Sequence, residues 1–90
     1  MSVTKTEPYL FQRALEAQAQ GRWDEAANLC RAIVDTSPED FDAWHLLGFA
    51  QARGGRHREA LEAYDRALSL RASDPMTHYN RAVSQQALQR

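Results

Sequence analysis

The 90-residue chain is poor in the residues that would mark most chemistries. It has one cysteine, Cys30, so no internal disulfide can form and nothing calls for an oxidising compartment. It has one lysine, Lys5, the other ten basic residues being arginines, and a formal charge of −1. A balance this even gives no general attraction to phosphate backbones, and the basic residues form no single run, so a nucleic-acid partner is excluded. No apolar stretch approaches the roughly 18 residues of a membrane helix. The opening MSVTKTEP lacks the apolar core of a signal peptide. No membrane partner and a cytoplasmic location are therefore expected. There are only three prolines and four glycines, and all but Gly48 stand at the ends of periodic segments or between them.

What is present is helical. With 43% apolar and 26% charged residues, the composition is that of an ordered, helix-rich chain. Residues 1 to 5 carry no periodic pattern and are expected to fray. A first helix is predicted from Glu7 to Gln20, with Pro8 in its opening turn, and Gly21 ends it. A second, from Trp23 or Asp24 to Asp35, places Ala26, Leu29, Cys30, Ile33 and Val34 on one stripe. A third, Phe41 to Arg53, is apolar on more than one side and should be sandwiched, with Gly54 and Gly55 closing it. A fourth, His57 to Leu70, repeats the stripe with Ala60, Leu61, Tyr64, Ala67 and Leu68. The fifth opens at Asp74-Pro75 and continues to the end of the chain.

These segments repeat. A shift of 34 residues superposes Gly21 on Gly55, Arg22 on Arg56, Glu25 on Glu59 and Ala26 on Ala60. The same shift relates Thr6, Asp40 and Asp74, each read as a helix N-cap, and the small residues Ala14, Gly48 and Ala82. Trp44, Leu47 and Gly48 fall as W-x2-L-G, and Ala60 and Tyr64 follow as A-x3-aromatic. In these residues the chain resembles the tetratricopeptide repeat family, departing from its pattern at Gln51, where an aromatic is usual, and at Ala72, where a proline is usual.

The resemblance implies an all-α fold, a right-handed superhelical solenoid of antiparallel helix pairs. Residues 1 to 90 would form a single domain, with units at 7 to 40 and 41 to 74 and a closing helix or truncated third unit at 75 to 90. It further implies a protein-interaction module in which the first helix of each pair lines a concave groove. Family geometry puts Phe11, Leu15 and Gln18, then His45, Phe49 and Ala52, then Tyr79, Val83 and Gln86 along that surface, with Asn80 beside them. Leu15, Phe49 and Val83 are read first as helix-to-helix packing, and Phe11, His45 and Tyr79 as the exposed aromatic anchors of a bound peptide or protein segment. Where one subgroup of the family clamps a carboxylate with cations, this chain has Phe11, Leu15, Leu46, Met76 and Asn80, so nothing there neutralises an anion. Where another runs an asparagine ladder, it has Gln12, Leu46 and Asn80.

Enzymatic readings find little. Cys30, His45, His57 and His78 lie on different helices or faces and are not expected to converge on a metal. Cys30 sits on an apolar stripe and reads as a small buried hydrophobe. No Ser-His-Asp spacing, paired carboxylates or phosphate loop appears, so no catalytic residue and no cofactor is assigned. The alternatives to an interaction module are the N-terminal recruiting arm of a larger enzyme such as a glycosyltransferase, or a self-association module.

Two packing expectations follow. Trp44, between the two hairpins, is expected to be the centre of the core. The fifth helix is expected to cap the third and fourth with Met76, Tyr79 and Val83, leaving His78, Arg81, Ala82 and Gln85 bare. The chain is then mainly monomeric, with a weak homodimer through this helix as the alternative.

Overall fold

The computed structural model describes residues 6–90. The expected fraying of residues 1 to 5 lies outside the described residues. Five helices follow one another: α1 (Thr6–Ala19), α2 (Trp23–Thr36), α3 (Phe41–Arg53), α4 (His57–Leu70) and α5 (Pro75–Leu88). Each packs on the next in the order α1, α2, α3, α4, α5, and α3 also touches α5. The result is an elongated stack of 48 × 28 × 18 Å.

The 34-residue period is written into the backbone. After α1 the N–H of Arg22 donates to the Ala17 carbonyl at 2.8 Å and that of Gly21 to Gln18 at 3.0 Å. After α3, Arg56 donates to Gln51 at 2.7 Å and Gly55 to Ala52 at 3.0 Å. This pair of bonds needs a left-handed residue two places past the last helical one. Gly21 and Gly55 supply it, at φ +74° and +86°. The inter-repeat turns also match: Ser37 and Arg71 close α2 and α4 by donating to Ile33 and Ala67. Asp40 and Asp74 then cap α3 and α5, accepting from the backbone N–H groups of Ala43 and Thr77 at 3.1 and 2.9 Å. Thr6 differs from them, because it is the first residue of α1 rather than the residue before it.

Small residues set the helix spacing. Ala14, Ala17, Ala26, Ala27, Ala43, Ala50, Ala60, Ala63 and Ala67 are all buried. A Cβ on Gly48 would stand 2.6 Å from two ring carbons of Tyr64, so this glycine is what admits the tyrosine. Gln51, in the place of the usual aromatic, is buried and ties three helices together. With its amide turned so that oxygen meets a donor and nitrogen an acceptor, the oxygen accepts from Arg31 of α2 at 3.0 Å and the nitrogen donates to the Glu59 carbonyl of α4 at 3.1 Å.

The centre of the core differs from expectation. Tyr64 is fully enclosed, whereas Trp44 is half-buried. The indole leans outward because its N–H is drawn to the Pro38 carbonyl at 2.7 Å, and the Arg66 guanidinium covers the ring from outside. The capping residues of α5 are also other than expected. Met76, Tyr79 and Val83 are exposed, and the fully buried residues are Thr77 and Ser84. Polar groups on the facing helices dictate this choice: Ser84 Oγ lies 3.1 Å from His57 Nδ1, and Thr77 Oγ1 lies 2.8 Å from His45 Nδ1. A valine or methionine in either place would strand a partly buried imidazole nitrogen.

Candidate functional site

The residues read as a binding surface fall on the first helices of the stack, α1, α3 and α5. α5 contributes most of the open apolar area. Met76, Tyr79 and Val83, spaced three and four apart and thus on one stripe, are 59, 65 and 45% exposed. Leu15 of α1 adds to it at 40%. Phe11, by contrast, is half-buried against the core. The division between packing and exposure is thus partly reversed: Leu15 and Val83 are open, while Phe11 and His45 are partly enclosed. The reason is register. Phe11 lies beside the buried Ala14 on a helix whose inner face is short of large residues, so its ring fills that space.

Phe49 is half-buried and meets Trp23 edge-to-face, with centroids 6.2 Å apart and planes at 78°. Arg53, one turn on, stacks over both, 5.0 Å from the Trp23 ring and 6.0 Å from that of Phe49. At the other end of α3 the Arg71 guanidinium sits 4.3 Å over Phe41. Neither stacking contact was expected from the sequence. The spacing of Phe49 and Arg53, four residues apart on a helix, was the available signal, but the long-range pair Arg71 and Phe41 carried none.

His45 and Asn80 are brought together. Asn80 Nδ2 lies 3.3 Å from His45 Nε2, while His45 Nδ1 lies 2.8 Å from Thr77 Oγ1. The Thr77 hydroxyl in turn donates to Asp74 Oδ2 at 2.8 Å. The imidazole also meets Phe41 and Tyr64 edge-to-face. Burial lowers the His45 pKa from its ordinary 6.5, with the charges of Asp74 and Asp42 working against it. The two bonds from Thr77 hold the Asp74 carboxyl below its ordinary range. His45 is therefore a joint between α3 and α5 rather than a free aromatic anchor.

Elsewhere the chemistry is quiet. Burial pushes the Cys30 thiol up to about 12, with the nearby Asp40 adding to it and Arg31 opposing. Such a group stays protonated and is a poor nucleophile. Among the described residues no three His, Cys, Asp or Glu side chains are grouped to hold a metal, and no helix is long and apolar enough to cross a membrane. A cleft of about 650 Å³ opens on the other side of α3, lined by Trp44, Leu47 and Gln51 with Val34, Glu62 and Arg66. None of the residues singled out as binding groups lines it.

The tetratricopeptide repeat pattern matches residues 11–75, most of the chain. The chain belongs to the tetratricopeptide repeat family. It is 36% identical over 66 residues, 73% of its length, to the peroxisomal targeting signal receptor of Candida glabrata. It is likewise 36% identical over 62 residues, 69% of its length, to the receptor of that name from Saccharomyces cerevisiae. Those alignments span 11 and 10% of the relatives, so the chain corresponds to about a tenth of each. The solved structure of a MamA mutant superposes with a TM-score of 0.87 at 25% identity, covering 93% of this chain and 46% of that one. The family match and these similarities together bear out the all-α solenoid of helix pairs and its role as a protein-interaction module. They favour neither the glycosyltransferase arm nor the self-association module.

Proposed function

We propose that α1, α3 and α5 line a groove that holds an apolar peptide or protein segment. Leu15, Tyr79 and Val83 would be the direct contacts, Phe11 and Phe49 the floor, and His45 with Asn80 the polar element. The observation that carries this reading is the open stripe of Met76, Tyr79 and Val83 on a helix that buries polar residues instead. A helix free to choose would turn that stripe inward, since each such side chain gains about 1.5 to 3 kcal/mol on full burial. The units are residues 7 to 40 and 41 to 74, with 75 to 90 supplying a third groove-lining helix. The module does no chemistry of its own and works in the cytoplasm as a monomer, with a weak homodimer through α5 as the competing state. That the relatives are by name receptors of a targeting signal supports a segment of another protein as the occupant.

The experiment is selection of a displayed library of roughly 12-residue peptides against the immobilised 90-residue chain. Recovered peptides are then titrated against the parent chain and against Tyr79→Ala and Val83→Ala. Each substitution is expected to weaken binding by about 1 to 2 kcal/mol while leaving the melting curve unchanged, because both side chains are open. Peptides that bind both variants as tightly as the parent would place the site elsewhere, the cleft beside Trp44 being the first place to look.

A further inference from the structure

Both ring nitrogens of His45 are engaged by α5 and its cap, and the partner at each nitrogen sets where a proton can sit. Thr77 has one hydroxyl proton, which goes to Asp74 Oδ2 at 2.8 Å. Its oxygen must accept at the other contact, so the proton there is on His45 Nδ1, 2.8 Å away. Asn80 presents its amide nitrogen, a donor, to Nε2 at 3.3 Å, so Nε2 offers a lone pair and the ring is neutral. An Asn80 amide turned the other way would need a second ring proton. The pair therefore has two self-consistent settings, neutral imidazole facing the amide nitrogen and imidazolium facing the amide oxygen.

We propose that His45 and Asn80 form a specificity-determining pair in the groove, in which protonation of His45 selects the group that Asn80 offers to a bound peptide backbone. Opposite neutral His45, Asn80 turns its Oδ1 outward and accepts a hydrogen bond; opposite imidazolium it turns its Nδ2 outward and donates one. This inference rests on the groove reading above. The geometry suits the role because Asn80 is only half-buried and stands four places after Met76 and three before Val83, beside the open stripe of α5. The charged and titratable groups around the ring are Asp74 at the cap of α5, Asp42 on α3 itself and Tyr64 from α4, while Arg71, beyond the end of α4, acts on Asp74. Of these, Asp74 stays ionised throughout the relevant range, since Thr77 holds its carboxyl low. Tyr64 stays neutral because burial raises its phenol above the tyrosine range. Burial keeps His45 neutral at ordinary pH, so the second setting is reached on acidification below 6.5.

The test is NMR on the 90-residue chain, following the His45 ring nitrogens and the Asn80 side-chain amide from about pH 7.5 to 4.5. The Asn80 amide resonances are expected to move with the His45 midpoint, and to stop moving in His45→Phe. An amide that ignores the titration, or a His45 that titrates at or above its ordinary value, overturns the pairing without any ligand or variant. A second arm uses a peptide recovered from the library at about pH 7.5. Its affinity is expected to fall about fivefold by pH 5, the scale of one lost hydrogen bond, and to lose that dependence in Asn80→Leu. If the affinity is flat in the parent, or falls equally in Asn80→Leu, the selection of ligand groups is overturned while groove binding stands. If no peptide is recovered, the groove reading fails and carries the ligand half with it, and the Asn80 titration still decides whether the pair exists.

Discussion

His78 does one repeat later what Trp44 does in the second. The indole Nε1 of Trp44 donates to the Pro38 carbonyl at 2.7 Å, and the imidazole Nε2 of His78 donates to the Ala72 carbonyl, also at 2.7 Å. Donors and acceptors are each 34 residues apart, so the bond survives the exchange of both partners. It ties the first helix of a unit to the turn before it, and neither the tryptophan nor the proline is needed for that. Trp44→Phe keeps most of the ring packing but removes the donor, and is expected to cost about 0.5 to 1.5 kcal/mol in urea unfolding. A cost near zero would show that water replaces the bond at no loss.

The second expectation concerns Gly48 and Tyr64. A methyl group at Gly48 would stand 2.6 Å from the tyrosine ring, which is itself fully enclosed and cannot swing away. Gly48→Ala is expected to destabilise by about 1 to 3 kcal/mol despite the better helix propensity of alanine. Tyr64→Leu should relieve part of that strain, so the double variant should lose less than the two single variants added together. Strict additivity would mean that the two residues do not meet as described. Tyr64→Phe should be neutral or mildly stabilising, because the hydroxyl is buried without a partner among the described residues.

How far these pairings could be read in advance depends on their range along the chain. The ends of α3 and α4, the caps Asp40 and Asp74 and the glycine turns rest on bonds between residues no more than five apart, and the sequence displayed them. The tyrosine at the centre, the polar seat of α5 and the His45 joint rest on side chains 16 to 35 positions apart, where periodicity says only which face is apolar. The arginine bias also acquires a reason. Arg13, Arg53, Arg66 and Arg71 lie over aromatic rings, a place that suits a flat, weakly hydrated guanidinium better than an ammonium. At the candidate site the exposed stripe lay within the residues that the family resemblance indicated, but the roles of Leu15 and Phe11 were exchanged, since helical spacing fixes direction and not how much a neighbour covers.

The third expectation is a two-step loss of stability in acid. His45 has a folded pKa below its ordinary 6.5, so the unfolded chain takes up the proton first. Its contribution is complete above 6.5 and is lost as pH falls through the lowered folded value. Asp74 also has a depressed folded pKa, so its contribution is complete above 3.8 and is lost as pH falls through its own lower value. Unfolding midpoints measured across this range should show both declines, with the upper one absent in His45→Phe. A single decline below 3.8 in the parent chain would refute the neutral, buried histidine.

The last expectation concerns how α5 is held. Its inward face buries Thr77 and Ser84 completely and leaves its large apolar residues outside, so little hydrophobic energy fastens it to α4 and α3. Its attachment depends on hydrogen bonds: Ser84 with His57 across α4, and Thr77 with His45 across α3. An ion pair nearby, Arg81 with Asp65 at 2.6 Å, is substantially exposed and adds less than about 1 kcal/mol. Ser84→Ala and Thr77→Val should each cost about 1 to 3 kcal/mol, by leaving a partly buried imidazole nitrogen without its partner. The loss should be local. Amide exchange is expected to quicken in residues 75 to 88 while α2 and α3 keep their protection, because neither hydrogen bond touches α2 and the core between α2 and α3 is apolar. Uniform acceleration along all five helices would show instead that the stack unfolds as one unit and that α5 is as firmly seated as the rest.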